Sequence, residues 1–265
     1  MKLGISLPVL QPDPAVVLGL ARDCDAHVAV DGVFVFEHLF RARVDGTRRS
    51  ALDCFPLLGA LAAATTRVQI GTLVARATLR PAAVLANMFA TVQRISNGRL
   101  IAGLGSGDAQ SQPEMDALGL GYRSESARVQ ALADAIDACR AGSAPIWVGG
   151  RSRAVRGLAA QTDGWNAWGG SAEQFRAHAQ AMRRASGRND FCVSWGGTVC
   201  VAPTEEAARA KAAAYRVGPD CIVGSPTQVV DALLAWGDLG ADWVVVADLE
   251  PATGIALLVE EWARR

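Results

Sequence analysis

Strand-like apolar segments recur along the 265-residue chain at 2–8, 32–36, 68–74, 99–105, 145–150, 163–168, 191–202 and 242–249. Between them the period changes. Over 81–96, Val84, Leu85, Met88, Phe89, Val92 and Ile95 recur at three- and four-residue spacing and form one apolar stripe, predicting an amphipathic helix. Pro81 at its start and Asn97-Gly98 after its end are ordinary helix punctuation. Further helices are predicted at 14–27, 53–65, 124–141, 152–161, 171–187, 204–215, 226–239 and 252–263. Strict alternation of strand and helix means parallel strands joined by right-handed crossovers. Eight such units close most simply into a (β/α)8 TIM barrel formed by residues 1–265 as one domain, with chemistry at the carboxyl ends of the strands. A doubly wound open sheet competes, but the first strand-to-helix turn, Pro8 to Pro14, lacks a G-x-G-x-x-G fingerprint, and the glycines at 103–107 lead into a polar loop. The longest irregular stretch, Ser106 to Ser124, follows the fourth strand and reads as a lid or site wall.

Half the residues are hydrophobic and a fifth are charged, with 26 acidic and 26 basic side chains cancelling. No overall field recruits nucleic acid or a membrane, so the expected partner is a small molecule. Cys24, Cys54, Cys139, Cys192, Cys200 and Cys221 include no C-x-x-C pair and no metal-type spacing with the three histidines. They read as reduced packing residues in a cytoplasmic protein, with no metal expected. MKLGISLPVL is too short an apolar run for a signal peptide, and no run approaches the roughly 18 residues that span a bilayer.

Candidate chemistry clusters after the strands. Gly149-Gly150-Arg151-Ser152 ends one strand and opens a helix, which suits a phosphate; the same residues also make an ordinary tight turn with a solvated arginine, and the stretch alone leaves both readings open. Glu37-His38 follows the second strand and Gly105-Ser106-Gly107-Asp108 the fourth, so a barrel would bring a histidine and a carboxylate to one mouth as a proton-transfer pair. His27 and His178 lie within helices and read as surface or packing residues. In GTLVARATLRPA, Arg76 and Arg80 are expected to be solvated. Arg41, Arg43, Arg48 and Arg49 either steer an anion or form a solvated face. Trp165 and Trp168 either stack on a ring or pack in the core or at the rim.

Taken together, GTLVARATLRPAAVLANMFATVQRISNGRLIAGLGSGD, VGGRSRAVRGLAAQTDGWN and GSPTQVVDALLAWGDLGADWVVV resemble the bacterial-luciferase-like superfamily of flavin and deazaflavin oxidoreductases, in order and over nearly the whole chain. The resemblance implies a luciferase-like (β/α)8 barrel binding coenzyme F420 or, alternatively, FMN. It puts the phosphate at Gly149, Gly150, Arg151 and Ser152, and a non-prolyl cis peptide at Leu73–Val74 behind the ring. Thr72, Gly105, Ser106, Gly107, Trp165 and Asn166 complete the implied cofactor contacts. It implies hydride transfer between the deazaflavin and a small organic substrate, with His38 or Asp108, beside Glu37, handling the proton. The FMN alternative is a monooxygenase using O2 and a separate reductase; a barrel that binds flavin without turnover is the reading from another class. Relatives of this kind are commonly homodimers, for which the helices at 53–65 and 81–96 are candidates.

Overall fold

The computed structural model describes residues 1–11, 13–42 and 47–265. In chain order, β1 (Lys2–Ser6), α1 (Pro14–Ala26) and β2 (Gly32–Val35) lead to a hairpin of β3 (Phe40–Ala42) and β4 (Arg48–Ser50), followed by α2 (Cys54–Ala64) and β5 (Gln69–Thr72). A two-residue β6 (Ala75–Arg76), α3 (Ala82–Ile95) and β7 (Leu100–Gly105) come next, then a 3-10 turn at Ala109–Ser111 running into α4 (Gln112–Ala117), and α5 (Glu125–Cys139). The second half runs β8 (Ile146–Gly149), α6 (Arg153–Ala159), β9 (Gly164–Trp168), α7 (Ala172–Ser186), β10 (Cys192–Val201), α8 (Glu205–Tyr215), β11 (Ile222–Gly224), α9 (Pro226–Asp238), β12 (Trp243–Asp248) and α10 (Pro251–Trp262).

Pairing runs β1-β2-β5-β7-β8-β9-β10-β12 and returns to β1, every step parallel, so eight strands close a (β/α)8 barrel. The expected eight strands are those of the ring. The hairpin β3–β4, the short β6 and the edge strand β11 were not expected. The 106–124 stretch, read as irregular, contains α4; Pro113 near its start and Glu114 in its first turn suit a helix start.

Local chemistry explains most boundaries. Asp13, Asp53, Ser124, Ser152, Ser171 and Thr204 each cap a helix by accepting a bond from its first-turn amides. Ser225 and Gln228 form a reciprocal capping box on α9, with Pro226 at its first position. The helix predicted over 81–96 is α3, and Asn97 and Gly98 after it both take positive φ.

Two apolar layers form the core. One lies between the strands and the surrounding helices; the other fills the barrel with Phe34, Leu73, Ile101, Trp147, Trp243 and Val245. Phe34 packs on Trp147 and Trp243 at ring-centroid distances of 6.0 and 5.8 Å, and the two tryptophans meet edge-on at 5.6 Å. These rings fit because the neighbouring positions carry no side chain: a Cβ at Gly4 would lie 2.7 Å from Phe34, and one at Gly164 2.7 Å from Trp147. At the amino-terminal end, Arg67 caps the carbonyls of Cys24, His27 and Val30, and Arg99 those of Ala62, Thr65 and Val68. Four of the six cysteines are buried, Cys192 and Cys221 are half-buried, and all are free. Among the described residues no helix is long and apolar enough to cross a membrane.

Candidate active site

Past the end of β2 at Val35, alternation still puts Phe36 and His38 on one side and Glu37 on the other, with Phe36 packed against the outer cluster. The contacts agree: Phe36 and His38 meet edge-on at 5.7 Å, whereas Glu37 is buried against Cys54 at the start of α2. Glu37 accepts bonds from the Arg76 amide at 2.7 Å, from Arg80 Nη1 at 2.5 Å and from Cys54 Sγ at 3.1 Å. Burial in this pocket pushes the Cys54 thiol far up, and the Glu37 charge adds to the shift. Adjacent in sequence, Glu37 and His38 therefore take different partners. Glu37 ties the end of β2 to β6 and to Arg80.

Arg76 and Arg80 are not solvated as expected. The Arg80 side chain is 15% exposed, pairs with Glu37 and Asp53 and lies over the Phe55 ring at 4.8 Å. Burial would lower its pKa, but Glu37 outweighs this and raises it. Arg76 is 4% exposed and donates from Nη2 to Glu114 Oε2 at 2.7 Å. Its Nε and Nη1 are buried without a hydrogen-bond partner among the described residues.

His38 does meet a carboxylate from the 106–124 stretch, but that carboxylate is Glu114 on α4 rather than Asp108. His38 Nδ1 bonds Glu114 Oε1, and the Leu39 amide donates to Glu114 Oε2 at 2.8 Å. Burial alone would push the Glu114 carboxyl up. The bonds from His38 and Leu39 and the charge of Arg76 outweigh that and hold it below the usual carboxylate range. Asp108 is exposed and acts as a helix cap: its Oδ1 accepts from the Ser111 amide at 3.2 Å, while Ser111 Oγ donates to the Asp108 carbonyl at 2.5 Å. In the sequence Glu114 is one of several polar residues of the 106–124 stretch, and nothing marks it out as a partner for His38. The signal that singles it out is helical: Glu114 sits in the first turn of a segment that opens with Gln112-Pro113.

The third-strand block forms the wall of the mouth. The Leu73–Val74 peptide is cis, at the position implied by the family resemblance. Thr72 is wholly buried and donates from Oγ1 to the Gly103 carbonyl at 2.6 Å, so its hydroxyl serves strand pairing. Leu73 joins the inner core and Val74 packs beside it. Val74 lies between two glycines: a Cβ at Gly105 would come 2.4 Å from its Cγ2, and one at Gly149 2.6 Å from its Cγ1. Ser106 and Gly107 follow, half-buried, with Gly107 at φ 73°.

The turn after β8 has the expected form and one difference. Gly150, at φ 143°, has its amide taken by the Asn166 carbonyl at 3.1 Å, and its own carbonyl accepts from the Trp165 indole N–H at 2.7 Å. Ser152 caps α6, whose first backbone bond is Arg156 N to Ser152 O at 3.0 Å, so the amides of Arg153 and Ala154 precede the helical ladder. Exposed Arg151 reaches across to the loop after β9, where a Cβ at Gly170 would meet its Nη1 at 2.6 Å. Burial, Arg156 and Arg151 together lower the His178 imidazole.

Alternation also separates the residues of β9. Asn166 points inward and donates to Ser194 Oγ at 2.9 Å; Trp165 points outward, fully buried and stacked on Phe175 of α7 at 6.0 Å. Trp165 therefore supports the Gly150 turn from behind and offers no ring to the mouth, a correction to its place among the cofactor contacts. Trp168, on the Asn166 side and 40% exposed, covers Gly196, where a Cβ would fall 2.5 Å from its ring. Of the arginines after β2, Arg41, Arg48 and Arg49 are exposed, Arg48 lying over Phe40 at 4.6 Å; Arg43 lies outside the described residues. A cavity of about 570 Å³ opens at the opposite end of the barrel, lined by Arg140, Trp147, Asp163, Arg188 and Cys192 among others, and contains none of the candidate site residues. No group of three or more metal-ligating side chains occurs among the described residues.

The strand ends thus bring His38, Val74, Gly105, Gly149, Asn166 and Trp168 to one mouth, with the Arg151–Ala154 turn on its rim. A family model described as luciferase-like monooxygenase matches residues 1–144 and 140–220. The F420-dependent glucose-6-phosphate dehydrogenase of Nakamurella multipartita is 30% identical over 152 residues, which are 57% of this chain and 42% of that protein. The chain thus spans less than half the length of this curated relative. Two solved structures share the fold over nearly all of both chains. The coenzyme F420 dependent tetrahydromethanopterin reductase of Methanopyrus kandleri has a TM-score of 0.77 at 15% identity, covering 98% of this chain and 97% of that one. The EDTA monooxygenase of Chelativorans sp. BNC1 has a TM-score of 0.82 at 14% identity, covering 100% and 94%.

Proposed function

Because the chain belongs to the luciferase-like monooxygenase family, we propose that it is a coenzyme F420-dependent oxidoreductase acting on a small organic substrate, with residues 1–265 working as one barrel. The observation that carries this reading is the juxtaposition, at the carboxyl ends of the strands, of Val74 packed between Gly105 and Gly149, the α6 start with Arg151 and the Arg153 and Ala154 amides outside the helical ladder, and His38. The F420-dependence of the curated glucose-6-phosphate dehydrogenase relative supports the deazaflavin over FMN.

The residues fit such a group. The amides of Arg153 and Ala154 together with the Arg151 guanidinium suit an anionic tail. Gly105 and Gly149 admit the Val74 side chain between them, so the cis Leu73–Val74 bulge can seat against the strand ends and back a planar ring. When bound, the deazaflavin supplies hydride chemistry at its central ring. Asn166 and Trp168 line the wall, and His38 holds or releases the proton that balances hydride transfer at the substrate. Asp108, engaged as a cap, holds its short turn in shape. A flavin-dependent monooxygenase is the second reading, supported by the family's own description; that chemistry needs O2 and a separate reductase.

Anaerobic turnover tests the proposal. Purified protein is mixed with F420 and a panel of alcohols, or with reduced F420 and electron-poor alkenes and imines, and the deazaflavin absorbance is followed. The expected result is F420-dependent turnover that His38→Ala abolishes while cofactor binding persists. Full turnover by His38→Ala overturns the assignment of His38, and turnover only with reduced FMN and O2 replaces the first reading by the second.

A further inference from the structure

We propose that Glu114 is the positioning residue of His38, holding it as the Nδ1–H tautomer so that Nε2 is the nitrogen that exchanges a proton with a bound reactant. The proposal deepens the reading above and rests on it for the chemistry, while the tautomer follows from geometry alone.

Three donors surround the Glu114 carboxylate. Arg76 Nη2 and the Leu39 amide both reach Oε2, at 2.7 and 2.8 Å, and His38 Nδ1 reaches Oε1. A guanidinium and a backbone amide can only donate, and an ionised carboxylate can only accept. With Oε2 held by two donors and Oε1 ionised, the hydrogen between Nδ1 and Oε1 belongs to the imidazole. Nδ1 is then committed, and the lone pair of the neutral ring lies on Nε2. Glu114 itself is 3% exposed, whereas the His38 side chain is 31% exposed, so a buried anchor holds a ring that keeps an open edge. The anchor comes from α4, 76 residues further along the chain, so the histidine is set in place only when the lid helix is docked. A carboxylate that fixes the tautomer of a working histidine through its second nitrogen is a recurrent device.

The Glu114→Gln variant makes a sharp test because the two ends of an amide differ. The position of Oε2 faces two donors, so the glutamine oxygen must turn there, which leaves the NH2 group facing His38. Nδ1 then becomes the acceptor and the proton moves to Nε2. Nitrogen-15 spectra of the imidazoles, recorded on the uniformly labelled chain at a pH where they are neutral, distinguish the two tautomers directly, and only three histidines contribute. The expected result is Nδ1–H for His38 in the wild type, Nε2–H in Glu114→Gln, and no change in Asp108→Asn. A wild-type ring already in the Nε2–H form, or one tautomer shared by wild type and Glu114→Gln, overturns the proposal. The Leu39 amide resonance reports whether Glu114→Gln keeps its docking; if it does not, Glu114→Ala, which removes the anchor without supplying a donor, is expected to lose the Nδ1–H preference, and its persistence there is equally fatal. In turnover, Glu114→Gln is expected to lower kcat on the order of a hundredfold with KM little changed, the scale of losing a correctly placed acid or base. Because the tautomer is read without cofactor, a flip in a protein that turns over neither F420 nor FMN strikes the redox reading and leaves the role of Glu114 intact.

Discussion

Replacing Arg76 by methionine should loosen the docking of α4. The substitution keeps an unbranched chain of similar length but removes the charge that faces Glu114 Oε2 at 2.7 Å between side chains 5% and 4% exposed. Removing one partner of a buried ion pair costs about 3 to 5 kcal/mol when the remaining charge is left alone. Two features of this site reduce that figure. Glu114 keeps the Leu39 amide and His38 as donors. Arg76 itself holds two buried N–H groups without partners, each a burden on the order of 1 kcal/mol that its removal relieves. A net loss of about 2 kcal/mol remains, roughly a thirtyfold rise in the fraction of molecules with α4 undocked. Amide hydrogen exchange reads this locally: the Leu39 amide, bonded to Glu114, should exchange about thirtyfold faster, together with amides across α4, while strand amides deep in the ring, such as those of β12, keep their protection. Unchanged exchange at Leu39 would show that Arg76 contributes nothing to docking and refute the reasoning.

Further outcomes follow from the same geometry. The Glu114 carboxyl is held below its ordinary value of 4.5, so it stabilises the folded state above that pH and the contribution is lost as the pH falls through the folded value; urea unfolding taken from neutral to about pH 3 should show a shallower acid decline in Glu114→Gln than in the wild type, and parallel curves would deny the shift. Gly149→Ala brings a Cβ to 2.6 Å from Val74 Cγ1 and should destabilise by about 1 to 3 kcal/mol in denaturant, with an unchanged midpoint showing that Val74 is free to move. Trp165→Ala, at a fully buried ring, should cost about 3 to 5 kcal/mol of stability and Trp168→Ala, 40% exposed, much less; the reverse order would contradict the assignment of inner and outer faces on β9.

The barrel was legible because it is written in periods. Strand and helix alternate eight times, and capping residues such as Asp53, Ser152 and Ser225 stand where helices begin. The site was legible at the level of strand ends but not of side chains. Glu37 and His38 look like a pair, yet a pleat turns neighbours to opposite faces, and the same rule separates Trp165 from Asn166. That signal was present in the sequence. The burial of Arg76 and Arg80 was not, because it depends on Glu114 of α4 and on Glu37 just after β2, 38 and 43 residues away in the chain. Glu114 was obscured by its segment, which reads as a polar loop until its six-residue helix and its docking partners are seen together.

If the barrel mouth binds F420 as proposed, its rim at Arg151–Ala154 holds the anionic tail. The most direct test is an equilibrium fluorescence titration of the purified chain with F420 and with FMN, repeated with Arg151→Gln. The expected result is saturable micromolar binding of F420 in preference to FMN, weakened in Arg151→Gln by the loss of a charge at the rim. Binding of neither compound, or F420 binding indifferent to Arg151, would contradict it.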